Sequence, residues 1–423
     1  MQIVLANLLI VGLNFGTGII TARLLGPGGR GELTAMIFCT QFLAYSFSLG
    51  LPSALLYNLK RYPEQASRLF SVVLLEGLLM GGAATAVGIL VLPSWLNGYS
   101  LETVRYAQWA MLIAPLMLLN YTFTFALQAR GEFSLYNAVR YLNPLLTLFA
   151  LAALAWVHHL TPFTSALAYV LPTVPIFLWM VSRLWALYRP KWRGLGPTFK
   201  RLNSYGLRSY GVDLVTQLSL QLDKVLVVGL LSPAAMGLYV VASSLALVLN
   251  VFQAAVVSVL FPKASGLGVE EVVSLTERAA KGSIALTALA AVGLALFSPW
   301  VLGLLYGQEY LDAIPIFRLL LFAIVLNGSD QVLAQAFMAL DRPGVVTVMQ
   351  GIGIGLSVPL LLALVPRYGL EGAGLALLLS ASVRFVSVLA SFPLILKVRL
   401  PRLWLTRTDL APVTAIFSKG EKH

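Results

Sequence analysis

Polar side chains recur at helical spacing within one apolar segment, residues 209–230. Its sequence, SYGVDLVTQLSLQLDKVLVVGL, steps by four residues from Asp213 to Gln217 and Gln221, and by three to Lys224. These positions share one face of an α-helix. Polar groups within a bilayer are costly and usually face water, a ligand or another helix. The face therefore predicts a surface that contacts water, a substrate or a partner helix. The alternative is that its charges form ion pairs that hold the helix bundle together.

Other apolar segments carry further polar side chains. Some recur at intervals of four, such as Asn327 and Gln331. Serine- and threonine-rich faces are also used to hold helices together, so packing is the alternative for each. The further candidates are Asn14, Gln41, Tyr45, Asp223, Asn327, Asp330, Gln331 and Arg384.

Residue spacing argues against an enzyme. His158 and His159 are adjacent rather than four apart, and Cys39 is the single cysteine, so neither a zinc site nor a disulfide framework is expected. The stretch GIGIGLSVP (351–359) follows no strand and reads as close helix packing, not as a phosphate loop. We expect no catalytic residues, no metal and no cofactor. A membrane glycosyltransferase or glycan ligase stays as a distant alternative.

The elements that carry these residues are membrane helices. The chain of 423 residues is 59% hydrophobic and 11% charged, which is less than half the charge typical of soluble domains. Apolar runs of roughly 20 residues are long enough to cross a bilayer. The sequence predicts twelve such spans, at 3–22, 34–58, 69–92, 107–127, 138–157, 164–187, 209–230, 236–261, 280–304, 313–338, 344–365 and 370–396.

The distribution of basic residues predicts the topology. With the N-terminus in the cytoplasm, 22 of the 29 lysines and arginines fall on the inner side and five on the outer side. Cytoplasmic loops are enriched in these residues, so both termini are expected in the cytoplasm. The net charge of +12 then reflects topology and attraction to anionic membrane lipid. No nucleic-acid partner is expected.

A short hinge occurs twice. Aligning residues 24–33 with 230–239 pairs Pro27 with Pro233 and Gly31 with Gly237. Each hinge follows the first span of a six-span block, although two ordinary Gly-Pro turns are the alternative. The predicted organisation is an N-terminal six-helix bundle (1–188), a basic cytoplasmic linker (189–208), a C-terminal six-helix bundle (209–396) and a basic cytoplasmic tail (397–423). Repeats of this kind surround a central cavity in alternating-access carriers.

Three stretches resemble a known family. They are ITARLLGPGGRGELTAMIFCTQFLAYSFSLGLPSALLYNLKR (20–61), LDKVLVVGLLSPAAMGLYVVASSLALVLNVFQAAVVSVLFPKAS (222–265) and FRLLLFAIVLNGSDQVLAQAFMALDRP (317–343). They are similar to polysaccharide and O-antigen flippases of the multidrug/oligosaccharidyl-lipid/polysaccharide exporter superfamily. The resemblance spans nearly the whole chain, and each motif is degenerate.

The resemblance implies an all-α carrier of twelve helices in the cell's inner membrane. Members move undecaprenyl-pyrophosphate-linked oligosaccharides between leaflets, for surface polysaccharide biosynthesis beside polymerase machinery. The implied roles are cations for the pyrophosphate, polar groups for the sugars and carboxylates for H⁺ or Na⁺ coupling. The cations are Arg23, Arg30, Arg208, Lys224 and Arg384; the polar groups are Asn14, Gln41, Tyr45, Gln217, Gln221, Asn327 and Gln331; the carboxylates are Asp213, Asp223 and Asp330. The main alternative is a cation-coupled multidrug antiporter of the same superfamily.

Overall fold

The computed structural model describes residues 2–403, without the side chains of residues 2–6, 8, 212, 215, 216, 219 and 220. Regular secondary structure in this range is entirely helical. Most of the predicted basic tail lies outside the described residues. The helices are α1 Gln2–Ser46, α2 Leu51–Arg61, α3 Ala66–Trp95, α4 Leu101–Ala110, α5 Ala114–Arg130, α6 Phe133–Trp156, α7 Pro162–Val170, α8 Thr173–Tyr188, α9 Gly196–Leu230, α10 Pro233–Ala246, α11 Asn250–Ala264, α12 Val269–Leu296, α13 Ser298–Leu305, α14 Ile314–Ala339 and α15 Pro343–Ser391.

Nine helical segments within the described residues are long and apolar enough to cross a membrane. Two of them, Leu9–Ser46 and Pro343–Leu396, are interrupted by Gly26 (φ 64°) and Gly369 (φ 57°), where the backbone leaves the helical region. Glycine has no Cβ and adopts such angles without a steric penalty. All but one of the predicted spans overlap these nine segments; the seventh, 209–230, lies on α9, which is not among them. The prediction of an all-α, multi-span membrane protein is confirmed.

The chain forms two compact units, Met1–Leu238 and Tyr239–His423. Helix α9 begins at Gly196, inside the segment 189–208 that the sequence predicts as a linker. Pro197 lies in the first turn of α9. Proline is tolerated there because the N–H groups of the first turn have no acceptor within the helix. The predicted boundaries of the two six-helix bundles remain a prediction.

An aromatic core holds the first unit together. Phe70 of α3 stacks on Phe123 of α5 with ring centroids 5.1 Å apart, and Tyr188 of α8 packs against the same Phe70 ring. Leu202 of α9 is fully buried in this cluster. Large apolar side chains also lie outward, such as Leu90, which is 78% exposed. Outward leucines suit a lipid environment, because lipid tails are as apolar as leucine side chains.

The second unit has its own core between α11, α12, α14 and α15. The Phe337 and Phe392 rings meet edge to face, 5.1 Å apart. Gln253 of α11 lies directly over Gly328 of α14, where any side chain would collide with it. The Gln253 Nε2 group donates to the Ile324 carbonyl at 3.2 Å. A glycine on α14 therefore admits a buried polar side chain from α11.

Candidate functional site

Polar contacts along its length join α9 to other helices of the first unit. Ser53 of α2 donates to Asp213 Oδ2 at 2.9 Å. The Tyr210 hydroxyl donates to the Ser46 carbonyl at the end of α1. Near the other end of α9, Trp95 Nε1 donates to the Val225 carbonyl at 3.1 Å. These contacts hold the predicted polar face in a defined position.

The polar face itself is half-buried at all four positions, Asp213, Gln217, Gln221 and Lys224. The Oε1 atom of Gln221 is buried and has no hydrogen-bond partner among the described residues. Among the described residues, no carboxylate lies within 4 Å of Lys224 Nζ. The Asp213 carboxylate accepts the hydrogen bond from Ser53. Buried polar atoms are normally satisfied. The face therefore keeps hydrogen-bonding capacity and a positive charge for a ligand.

The two hinges lie against one another within the first unit. A Cβ atom at Gly31 would lie 1.7 Å from the Pro233 carbonyl oxygen, and one at Gly237 would lie 1.9 Å from that of Pro27. The sequence repeat pairs these same residues, so the contact is reciprocal. That the hinge is a repeat stays a prediction.

Two predicted cations lie on α1 around its kink. Arg30 is half-buried, and its Nη1 group donates to Thr21 Oγ1 at 2.8 Å. The Nε atom of Arg30 is buried without a hydrogen-bond partner among the described residues. Arg23 is exposed on the first segment of α1. Arg30 is therefore positioned by a neutral hydroxyl, which leaves its charge uncompensated by that contact.

The predicted sugar-binding residues of α1 differ in their surroundings. Tyr45 is half-buried, and its ring centroid lies 4.6 Å from that of Tyr121 on α5. Asn14 and Gln41 are exposed. Neither Asn14 nor Gln41 takes part in the hydrogen bonds to α9 described above. Their roles in sugar binding stay predictions.

Three predicted residues of the second unit form one cluster. Arg384 Nε of α15 lies 2.6 Å from Asp330 Oδ2 of α14. An Nη2 group of the same guanidinium donates to Asn327 Oδ1. Asp330 also lines a cavity of 220 Å³, together with Gln331. The resemblance gave these three residues separate roles in diphosphate binding, sugar binding and ion coupling. In the structure they contact one another in one ion-paired cluster.

Two buried carboxylates were not singled out from the sequence as site residues. Glu76 of α3 accepts a hydrogen bond from Asn203 of α9 and lines an 80 Å³ cavity. Glu277 of α12 lies 3.1 Å from Lys281, one turn later on the same helix, and both side chains are buried. The Glu277–Lys281 spacing was visible in the sequence. Asn203 lies 127 residues from Glu76, and no sequence pattern links them.

The last predicted cation, Arg208 of α9, is exposed. Its guanidinium donates to the backbone oxygen of Ser204 at 2.8 Å and to the Ser204 hydroxyl at 2.6 Å. Both partners are neutral, so the charge of Arg208 is oriented and not cancelled. No group of three or more histidine, cysteine, aspartate or glutamate side chains able to hold a metal ion occurs in the described residues.

Comparisons with known proteins agree with this architecture. A family model described as polysaccharide biosynthesis protein matches residues 20–315. No curated protein matches the sequence at a significant level. A structure of lipid II flippase MurJ in an inward closed conformation covers 99% of this chain and 92% of its own, at 14% identity and a TM-score of 0.78.

Structures of MOP superfamily transporters share the same fold. The inward-facing conformation of a MATE family transporter of the MOP superfamily matches at 17% identity with a TM-score of 0.68, covering 97% of this chain and 96% of its own. A MOP superfamily transporter from Pyrococcus furiosus matches at 16% identity with a TM-score of 0.59, covering 92% and 93%. At these identities the structures establish a shared multi-span fold.

Proposed function

This chain belongs to the polysaccharide biosynthesis protein family, and from that membership we propose that it is a flippase for lipid-linked oligosaccharide. It would move an undecaprenyl-pyrophosphate-linked oligosaccharide from the inner to the outer leaflet of the cytoplasmic membrane by alternating access. Its fold and family are those of transporters and flippases, in line with the expectation that it is not an enzyme. Both termini would lie in the cytoplasm.

The observation that carries the proposal is the half-buried polar face of α9. Lys224 supplies a cation for phosphate oxygens, and Gln221 supplies an unpartnered amide oxygen for a sugar hydroxyl. Polar faces inside membrane spans mark substrate pathways. Asp213, Asp223 and Asp330 remain the candidates for H⁺ or Na⁺ coupling, and polysaccharide polymerase machinery remains a proposed partner.

The decisive experiment is deletion of the gene in its native host, with wild-type complementation as the control. Lipid-linked glycans would be extracted after treatment of intact cells and of inverted membrane vesicles with an impermeant glycan-modifying reagent. We expect oligosaccharide to accumulate on the cytoplasmic face and surface polysaccharide to disappear. Normal surface glycan together with new sensitivity to cationic drugs would overturn the proposal and favour the antiporter.

A further inference from the structure

A basic groove lies where the end of α2 meets the start of α9. Two adjoining cavities, of 520 Å³ and 490 Å³, share the walls Tyr57 and Tyr205. Volumes in this range accommodate small organic ligands. We call the two cavities together the basic groove. Its cations are Lys60, Arg61, Lys200, Arg201 and Arg208.

These five cations have no acidic counterpart among the described residues. No described carboxylate lines either cavity, and none lies within 4 Å of the charged nitrogens of the five. Two of the arginines are held by neutral groups instead: Arg208 by Ser204, and Arg201 by Gln65 Oε1 at 3.0 Å. A cleft lined by charges of one sign concentrates ligands of the opposite sign. The groove is therefore arranged to receive an anion.

Aromatic rings form the walls of the groove. Tyr57 and Tyr205 stack in parallel with ring centroids 4.2 Å apart and planes inclined by 9°. The Arg201 guanidinium lies 4.2 Å from the centre of the Tyr62 ring. This cation–π contact holds the guanidinium in position. Tyrosine offers both a flat apolar face and a hydroxyl, a combination suited to packing against a sugar ring.

The location of the groove fits a first contact with substrate. Lys60 and Arg61 form the last turn of α2, and Lys200 lies near the first turns of α9, on the side that the charge distribution assigns to the cytoplasm. The polar face of α9 begins at Asp213 on the same helix. A phosphate held by Lys200, Arg201 and Arg208 would therefore lie at one end of the helix that carries the proposed transport site.

We infer that the basic groove is a capture site for the diphosphate and first sugar of a lipid-linked saccharide, which its cations and tyrosines recognise before transport. This inference rests on the proposed function. Cations bind the phosphate oxygens through charge-assisted hydrogen bonds. The Tyr57 ring, which is exposed on the face that Tyr205 does not cover, packs against the sugar. Anionic phospholipid headgroups and free phosphate share the phosphate chemistry, so the test separates these three sources.

The test measures binding to purified protein in phosphatidylcholine nanodiscs. The probe is farnesyl diphosphate joined to one N-acetylglucosamine, compared with farnesyl diphosphate alone. We expect the double variant K60Q/K200Q to raise the Kd of the saccharide probe at least tenfold. The matched control is R193Q, an exposed arginine outside the groove, which should change the Kd less than twofold. Unchanged binding in the double variant would overturn the inference.

A second variant and two competitors identify the ligand. Tyr57→Leu should weaken the saccharide probe about fivefold and farnesyl diphosphate alone less than twofold; equal weakening would overturn the role given to the sugar. We expect 30% phosphatidylglycerol in the nanodisc not to displace the probe, and inorganic diphosphate to displace it only at concentrations at least a hundredfold above the Kd of the probe. Displacement by phosphatidylglycerol would make the groove a phospholipid site, displacement by inorganic diphosphate at the Kd of the probe would make it a free-phosphate site, and either result would overturn the inference.

Failure of this inference is distinguishable from failure of the proposed function. If the groove variants bind the probe normally while the wild-type protein exports lipid-linked glycan, the groove is not the capture site and the flippase stands. If deletion of the gene leaves glycan export normal, the flippase itself is excluded, whatever the groove binds. If both stand, the groove variants should raise the substrate concentration needed for half-maximal transport and leave the maximal rate within twofold.

Discussion

The basic groove of the first unit and the Arg384 cluster of the second use similar residues in opposite ways. Arg384 is half-buried and lies 2.6 Å from the carboxylate of Asp330. In the groove, Arg201 and Arg208 contact only neutral oxygens and a tyrosine ring among the described residues. A cation that is already paired offers little to a phosphate, whereas an unpaired one attracts it. The comparison assigns Arg384 mainly to the integrity of the second unit, and the groove and α9 to binding.

The strongest way to break this comparison is to remove one half of the ion pair. Asp330→Asn leaves the guanidinium of Arg384 half-buried without a counter-charge. Since stranding a buried charge costs about 3–5 kcal/mol and Arg384 is partly exposed, we expect a loss of about 2–3 kcal/mol in the free energy of unfolding. Thermal unfolding of the purified protein in detergent measures it.

The matched controls are Asp312→Asn, at an exposed carboxylate, and the double variant Asp330→Asn/Arg384→Gln. The first should leave stability unchanged, and the second should recover at least half of the loss because no charge is stranded. A double variant as unstable as Asp330→Asn alone would show that the pair is not the source of the effect.

The contact between the two hinges, which joins α1 to the start of α10, can be tested at Gly31. Gly31→Ala places a methyl group 1.7 Å from the Pro233 carbonyl oxygen, so the backbone must move. Overpacking of this kind costs about 1–3 kcal/mol, and we expect a destabilisation of about 2 kcal/mol. Gly28→Ala is the control, because no described atom lies within 4 Å of the position that its added methyl group would take; equal melting temperatures for the two variants would contradict the interlocked hinges.

Transport should depend on the uncompensated charge of α9. We expect Lys224→Ala to reduce export of lipid-linked glycan at least tenfold, about 1.4 kcal/mol in transition-state terms, with little change in melting temperature. Lys224→Arg should retain most of the export, since it keeps the positive charge. Wild-type export by Lys224→Ala, measured as surface polysaccharide in the complemented deletion strain, would remove Lys224 from the binding site.

The smallest effect is expected at the contact between α2 and α9. Ser53→Ala removes the hydroxyl that donates to Asp213, and a single hydrogen bond contributes about 1 kcal/mol. We expect a destabilisation of that size. Ser182→Ala, at an exposed serine of α8 whose hydroxyl bonds within its own helix, should have less than half the effect. Wild-type stability in Ser53→Ala, or an equal loss in the two variants, would contradict a specific contribution from the α2–α9 contact.

The sequence was a good guide to the helices and to the face of α9. Spacing alone grouped Asp213, Gln217, Gln221 and Lys224, and the structure finds all four half-buried on one continuous helix. The hinge repeat, identified from Pro27 and Gly31, corresponds to a reciprocal contact. Helical periodicity and local motifs depend on residues close in sequence, so they can be recognised without the fold.

The sequence was a poor guide to the partners of individual charges. Neither Arg384 nor Glu76 has another charged residue within four positions in the sequence. In the structure, Arg384 meets Asn327 and Asp330 of α14, and Glu76 meets Asn203 of α9. The basic groove was equally hidden, because its cations come from the end of one helix and the start of another. Such groupings depend on how helices pack, and no local spacing encodes them.

The amino-acid sequence by itself determined that this protein is a bundle of membrane helices with a repeated hinge, because apolar length and glycine-proline breaks act locally. Only the tertiary structure decided which charges are neutralised and which remain available. Ser53 and Asp213 lie 160 residues apart in the chain and 2.9 Å apart in space. The energy of an ion pair or hydrogen bond depends on that second distance, which is set by packing.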